Sequence, residues 1–105
     1  MSIIRELNDT LRVTLSGGRV VMTDTVAAMS ESDRAAAFHA MMGFNQFNED
    51  NDPYGEHDCA IFTVGKQRFL FKISYYDKSL ERGSEDPSNP DITTRVLHLM
   101  LASEY

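Results

Sequence analysis

The sequence predicts an α+β fold in a single domain, an antiparallel sheet of three or four strands with two helices packed on one face. Three observations predict it. The 105 residues suffice for one hydrophobic core and not for two. Two segments space their apolar residues as helices do, and a ten-residue segment alternates as a strand does. Glycine- and proline-containing turns separate these segments.

The two helices are predicted from apolar spacing and from signals at their ends. Residues 3–13 place isoleucines and leucines on one side of a helix, which stops before the turn at Gly17. A second helix begins after Ser30, whose hydroxyl can accept a hydrogen bond from the first turn. Asp33 adds an acidic group near the positive helix end. Gly43 ends this helix after an alanine-rich body.

Four segments are predicted strands, at residues 19–23, 59–64, 67–76 and 93–101. A two-residue turn at Gly65 and Lys66 joins the second and third strands into a hairpin. The last segment is ambiguous because Asp91 can cap a helix there. Its β-branched residues favour a strand, which is the structure we predict.

Charge and composition restrict the classes of function. The formal net charge of −6 disfavours direct binding to nucleic acid and makes a basic protein surface the natural partner. No segment has the length of a membrane span or the pattern of a signal peptide, so we expect a cytoplasmic protein that makes no membrane contact. The single cysteine, Cys59, permits no internal disulfide and no thiolate metal site, and no cofactor is predicted. The oligomeric state stays open.

The acidic residues are concentrated in two predicted loops. Ten of the sixteen lie there, namely Glu49, Asp50, Asp52, Glu56, Asp58, Asp77, Glu81, Glu85, Asp86 and Asp91. The start of the first hairpin strand lies beside the end of the second, so both loops should leave the sheet at one end. Lys66 and Arg68 should lie at the other. These carboxylates either keep the loops solvated or form a binding surface.

The leading hypothesis is a surface that imitates the charge and stacking of nucleic acid. Its predicted partner-binding residues are Glu49, Asp50, Asp52, Tyr54, Glu56, Asp58, Asp77, Glu85 and Asp86. The carboxylates would fit a groove lined by lysine and arginine, with fast and salt-sensitive association. The tyrosine would supply an aromatic anchor within the charged field.

The alternative is a small enzyme, either metal-dependent or acting by acid–base catalysis. His57 and Asp58 are the candidate metal ligands, and His57 with Asp77 is a reasonable acid–base pair. No known catalytic motif is present, so no catalytic residue is assigned. A calcium loop is not predicted, because Ile61 stands where the bidentate glutamate is required. A third hypothesis, a structural or regulatory subunit, requires an apolar patch on the exposed face of the sheet.

Several segments carry a shared pattern. They are Asn8-Asp9 with Arg12, GGRVVMT at 17–23, DNDPYGEHD at 50–58, KISYYD at 72–77, GSEDP at 83–87 and the closing residues 95–105. Together they resemble a family of small bacterial proteins classed as a domain of unknown function. The resemblance implies a bacterial setting on mobile elements such as plasmids and prophages, and it supplies no catalytic residues. With the acidic loops, it leads to the hypothesis of an inhibitor of a nucleic-acid-acting defence complex, of the anti-CRISPR or antirestriction type.

Overall fold

Three helices and four strands form the fold in the computed structural model, which describes residues 2–105. The elements in chain order are α1 (Ile3–Thr14), β1 (Arg19–Met22), α2 (Asp24–Ala27), α3 (Glu31–Met42), β2 (Cys59–Val64), β3 (Gln67–Tyr76) and β4 (Thr94–Leu101), followed by a 3₁₀ turn at Ala102–Glu104. The predicted α+β fold class is confirmed. None of the helices among these residues is long and apolar enough to cross a membrane.

The sheet is mixed, with strand order β1-β4-β3-β2. β2 and β3 pair antiparallel, as do β3 and β4, whereas β1 runs parallel to β4 with Val20 opposite Leu97. A wholly antiparallel sheet was expected, whereas β1 runs parallel to β4. The two strands are not joined by a hairpin turn, which would make them antiparallel. Instead α2, α3, β2 and β3 lie between them along the chain, and this long connection allows the parallel direction.

The core lies on the face of the sheet that receives Phe69, Phe71 and Ile73 from β3. These side chains alternate along the strand, and they pack in one cluster with Leu11 of α1 and Met41 of α3. Burying a side chain of this size contributes about 1.5–3 kcal/mol relative to leaving it exposed. The alternation along residues 67–76 is thus the alternation of a strand, with these three side chains on the core face.

The helix ends follow the predicted capping chemistry, and one short helix adds to the predicted two. Ser30 caps α3 by accepting a hydrogen bond of 3.1 Å from the Asp33 backbone N–H. α1 ends at Thr14, before Gly17 as predicted, and its C-cap residue Leu15 has a left-handed φ of 60°. α2, capped by Thr23, was not predicted because four residues are too few to show a helical period.

Gly18 allows the connection between α1 and β1 to lie directly against β4. A Cβ atom at this position would stand 2.6 Å from the carbonyl oxygen of Arg95. Only glycine leaves room for that approach. Arg95 is central to the candidate site, so this contact helps to fix its surroundings.

Candidate functional site

Both acidic loops leave the sheet at the same end. β2 begins with Cys59 opposite Lys72 of β3, while the end of β3 lies beside the start of β4, with Tyr76 opposite Thr94. Residues 45–58 and residues 77–93 are therefore neighbours at this end, which we call the acidic pole. The turn between β2 and β3 lies at the opposite end.

A buried pair of side chains, Asn8 of α1 and Arg95 of β4, connects the two loops. Asn8 is fully buried and Arg95 is 2% exposed. The Arg95 Nε donates to Asn8 Oδ1 over 2.9 Å, and Asn8 Nδ2 donates to the backbone carbonyl of Glu56 over 3.0 Å. The Arg95 guanidinium also donates to the backbone carbonyl of Pro87. One buried network thus holds the first loop through Glu56 and the second through Pro87.

Tyr75 adds a second connection between the same loops. Its hydroxyl accepts from Asn8 Nδ2 over 2.7 Å and donates to Glu56 Oε1 over 2.8 Å. Its carbonyl accepts from the Ser84 N–H in the second loop. Burial is the main reason that the pKa of the Tyr75 phenol is raised, and the Glu56 carboxylate adds to it. The phenol therefore stays protonated, and its O–H donates a hydrogen bond to the Glu56 carboxylate.

His57 fastens the first loop to α1. Its Nδ1 lies 2.9 Å from Asp9 Oδ1, and its Nε2 lies 3.6 Å from Asp52 Oδ2. The imidazole stacks on the Phe47 ring, with ring centroids 3.8 Å apart. The pair with Asp77 that we considered from the sequence does not form, because the Asp77 carboxylate accepts from the Ser79 hydroxyl and the Glu81 N–H in its own loop. Both imidazole nitrogens instead face carboxylates of α1 and the first loop.

Arg12 connects Asp9, the partner of His57, to the C-terminal end of α3. Its guanidinium donates to Asp9 over 3.1 Å and to the carbonyls of Met41 and Phe44 at the C-terminal end of α3, over 3.0 and 2.7 Å. A cation at this end of a helix is attracted to the negative end of the helix dipole and stabilises the helix. Because Arg12 is only 4% exposed, it holds the two helices together and is not accessible to a partner protein.

The predicted partner-binding residues divide by exposure. Five are exposed: Glu49, Asp50, Tyr54, Glu85 and Asp86. Glu56, Asp58 and Asp77 are half-buried, and Asp52 is 8% exposed. The Asp52 carboxylate accepts from the His57 N–H over 3.2 Å, so it is occupied inside the protein. The structure therefore assigns Asp52 and Glu56 to holding the loop, and leaves the exposed five to face solvent.

Two half-buried carboxylates have shifted pKa values for different reasons. Burial raises the pKa of Asp58, and the nearby Glu56 and Asp52 carboxylates add to the rise. The hydrogen bond from the Ser79 hydroxyl lowers the pKa of Asp77. Within residues 2–105, no three His, Cys, Asp or Glu side chains are grouped so that they could hold a metal ion.

The supporting residues Asn8, Asp9, Arg12 and Arg95 were not among the predicted site residues. A signal for two of them was present in the sequence. Asn8 and Arg12 fall one turn apart on the apolar side of α1, with Leu11 between them. A polar side chain on the buried side of a helix indicates a hydrogen-bonded role, because an unpaired one is costly.

Comparison with known proteins gives a family and nothing finer. No curated protein and no solved structure matches the chain. A family model described as "Protein of unknown function (DUF3768)" matches residues 22–104. The match contains both loops of the acidic pole, whereas Asn8, Asp9 and Arg12 precede it. Because it covers well over half of the chain, the protein belongs to this family of unknown function, DUF3768.

Proposed function

We propose that the protein is an acidic binding module that occupies the basic, nucleic-acid-binding surface of another protein. The observation that carries the proposal is the set of exposed carboxylates from two separate loops at one pole. They are Glu49, Asp50, Glu81, Glu85, Asp86 and Asp91. The buried network of Asn8, Tyr75 and Arg95 connects the two loops, so these groups belong to one surface.

The charge distribution supports a basic partner. The acidic pole contains ten acidic residues and two basic ones, Lys78 and Arg82, for a formal charge of −8. The rest of the chain therefore carries a formal charge of +2, since the total is −6. Such separation orients the molecule toward a positive surface and accelerates association at low ionic strength.

Tyr54 supports a surface that imitates nucleic acid rather than one that is only charged. It is 87% exposed and lies between Pro53 and Gly55 in the first loop. An exposed aromatic ring beside carboxylates offers stacking area together with negative charge. These are the two features that a nucleic-acid-binding groove recognises in its substrate.

The target that we propose is a bacterial defence complex that acts on nucleic acid. Complexes of this kind are the targets of anti-CRISPR and antirestriction proteins. This choice rests on the resemblance to proteins of plasmids and prophages together with the charge of the pole. By occupying the groove that binds DNA, the module would compete with DNA and inhibit cleavage. Inhibition by such competition is sensitive to salt, because it depends on exposed charges.

A DNA-cleavage assay with purified restriction and CRISPR effector complexes tests the proposal. The wild-type protein should inhibit at least one complex at low salt, and inhibition should weaken as salt rises. A variant with Glu49→Gln, Asp50→Asn, Glu85→Gln and Asp86→Asn should lose inhibition. The matched control neutralises four exposed acids outside the pole, with Glu6→Gln, Asp24→Asn, Glu31→Gln and Asp33→Asn, and should inhibit like the wild type.

Two outcomes would contradict the proposal. One is the absence of inhibition and of binding across the panel at low salt. The other is equal inhibition by the wild type and by the variant with four neutralised carboxylates. Circular dichroism on each variant keeps loss of folding separate from loss of binding.

The second candidate, a small enzyme, rests on the contact between His57 and Asp9. A carboxylate on one imidazole nitrogen is the arrangement that orients a histidine base. An open cavity of about 380 Å³, lined by His57, Tyr54 and Arg5, lies beside it. The other nitrogen faces the Asp52 carboxylate, so the geometry favours a structural histidine. Stabilisation of the fold by a divalent ion, lost in His57→Ala, would favour the metal-dependent form of the enzyme.

A further inference from the structure

The free edge of β2 lacks the features that normally keep sheet edges from pairing. β2 lies at one end of the strand order and has the sequence Cys-Ala-Ile-Phe-Thr-Val. It contains no charge and no proline, which are the usual protections of an exposed edge. The other edge strand, β1, is only four residues long and begins with Arg19. The two edges of the sheet are therefore protected to different degrees.

The register of the hairpin identifies which backbone groups of β2 face outward. The two-residue turn places Val64 opposite Gln67, and beyond the other end of β2 the Ile73 N–H donates to the Asp58 carbonyl over 2.7 Å. Alternate residues of β2 bond to β3 in such a ladder. The remaining three, Cys59, Ile61 and Thr63, direct their N–H and C=O groups away from β3. Across the part of the chain that the structure describes, these groups make no hydrogen bond.

The same three residues share the face of the sheet opposite the core. Phe62 and Ala60 of β2 are buried in the core, so Ile61 between them projects to the other side. Ile61 is 47% exposed. A β-branched apolar side chain in the middle of an uncharged edge is well suited to a cross-strand contact.

We propose that β2 pairs antiparallel with β2 of a second copy of this chain, about a two-fold axis at Ile61. Outward-facing residues must pair with outward-facing residues, which fixes the register. Cys59 then lies opposite Thr63 of the partner subunit, and Ile61 opposite Ile61 of the partner subunit. The three residue pairs form six backbone hydrogen bonds, and two four-stranded sheets become one sheet of eight strands.

Charge complementarity selects a second copy over an unrelated strand. In this register the turn at Lys66, at one end of β2, approaches the other end of β2 in the partner subunit, where the first acidic loop joins the strand. Each basic turn thus approaches the first acidic loop of the other copy, and the two-fold axis repeats the attraction. The second acidic loop follows β3 and remains outside the contact. The dimer therefore leaves the second acidic loop free for another protein and places the first acidic loop beside the basic turn of the second copy.

A disulfide test reads the register directly. Hydrogen-bonded residues in antiparallel strands have Cα atoms about 5.5 Å apart, a separation that a disulfide can span. Thr63→Cys should therefore crosslink to Cys59 of the partner subunit under mild oxidation. The wild type should not crosslink, because its two Cys59 residues would be offset by four positions, about 13 Å. The control Thr10→Cys, at an exposed threonine of α1, should stay uncrosslinked.

Sedimentation equilibrium tests the association itself. The wild type should show a concentration-dependent dimer, and Ile61→Lys should raise its dissociation constant about tenfold or more, because two like charges would meet at the axis. Ile92→Lys is the matched control, since Ile92 is 40% exposed and precedes β4, which β3 separates from β2 in the sheet. It should leave the dimer unchanged.

The proposal would be overturned by a wild type that remains monomeric up to about 1 mM, beyond the range of weak specific interfaces. It would also be overturned if both lysine variants dimerised like the wild type, or if Thr63→Cys crosslinked no faster than Thr10→Cys. None of these results depends on inhibition of DNA cleavage, so the dimer and the proposed function fail or stand separately.

Discussion

The two acidic loops have the same number of carboxylates and use them differently. In the first loop, residues 45–58, Asp52 is buried and two others are half-buried, which leaves Glu49 and Asp50 exposed. In the second loop, residues 77–93, four of five acids are exposed and Asp77 caps a local turn. The first loop is therefore held partly by its own acids, while the second presents nearly all of them.

This difference follows from what each loop lies against. The first loop lies against α1, where the Asp9 carboxylate faces His57 and the Arg12 guanidinium lies over the Phe47 ring, and its Phe47 and His57 rings stack on each other. The second loop is attached through backbone groups, with the Pro87 carbonyl on Arg95 and the Ser84 N–H on Tyr75. Counting acidic residues thus overstates the exposed acidic surface of the first loop and describes that of the second well.

Arg95→Ala should cause the largest loss of stability, because Arg95 holds both loops. The change leaves Asn8 Oδ1 and the Pro87 carbonyl without their donor and opens a cavity beside Tyr75, so the free energy of unfolding should fall by about 3–5 kcal/mol. Urea denaturation measures the change. Arg68→Ala, at an exposed arginine of β3, should cost less than about 0.5 kcal/mol. Similar losses for both variants would refute the connecting role of Arg95.

Asp52→Ala should cause the next largest loss of stability, and it should affect the first loop without affecting the second. Loss of the buried carboxylate should lower the free energy of unfolding by about 1–3 kcal/mol, because the His57 N–H loses its acceptor. Hydrogen exchange should accelerate at His57 and leave the amides of the second loop unchanged. Asp50→Ala changes an exposed carboxylate of the same loop and should be nearly neutral. An equal effect of the two substitutions would remove the distinction drawn between buried and exposed acids.

A smaller effect depends on pH and involves Asp58. Its pKa is raised in the folded state, so the folded protein binds this proton more tightly than the unfolded chain does. Stability is therefore lost as pH rises from 3.8, the ordinary value, through the raised pKa, and stays reduced above it. Asp58→Asn should stabilise the protein at pH 7 and lose that advantage at pH below 3.8. Unfolding midpoints across pH measure this, and a variant that is less stable than the wild type at pH 7 would contradict it.

The smallest effect on stability is expected in the second loop, at Glu85. Glu85→Gln should change the free energy of unfolding by less than about 0.5 kcal/mol, since the side chain is exposed. Under the proposed function it should nevertheless weaken partner binding and lower its salt dependence. A calorimetric titration beside the urea measurement checks both halves, and a destabilised Glu85→Gln would show that this loop also depends on its acids.

The periodicity of the sequence was enough to predict α1, α3 and the long strands, and the hairpin argument placed both acidic loops at one end. The parallel pairing of β1 was not predictable, because four residues show no direction. The internal role of Glu56 depends on Asn8 of α1, 48 residues away, and on Tyr75 of β3. That of Asp52 depends on the turn that brings the His57 N–H back to it, so the acidic residue types alone could not distinguish either from Asp50. The polar residues Asn8 and Arg12 on the buried side of α1 were the available clue.

The central claim is that exposed acids from two distant loops act as one surface. A titration of the isotope-labelled protein with a short oligolysine peptide, followed by amide chemical shifts, tests it most directly. We predict that amides of residues 45–58 and 77–93 shift together with one shared affinity, while those near Lys66 and near Glu31 do not move. Shifts confined to one loop, separate affinities for the two loops, or equal shifts near Glu31 would contradict it.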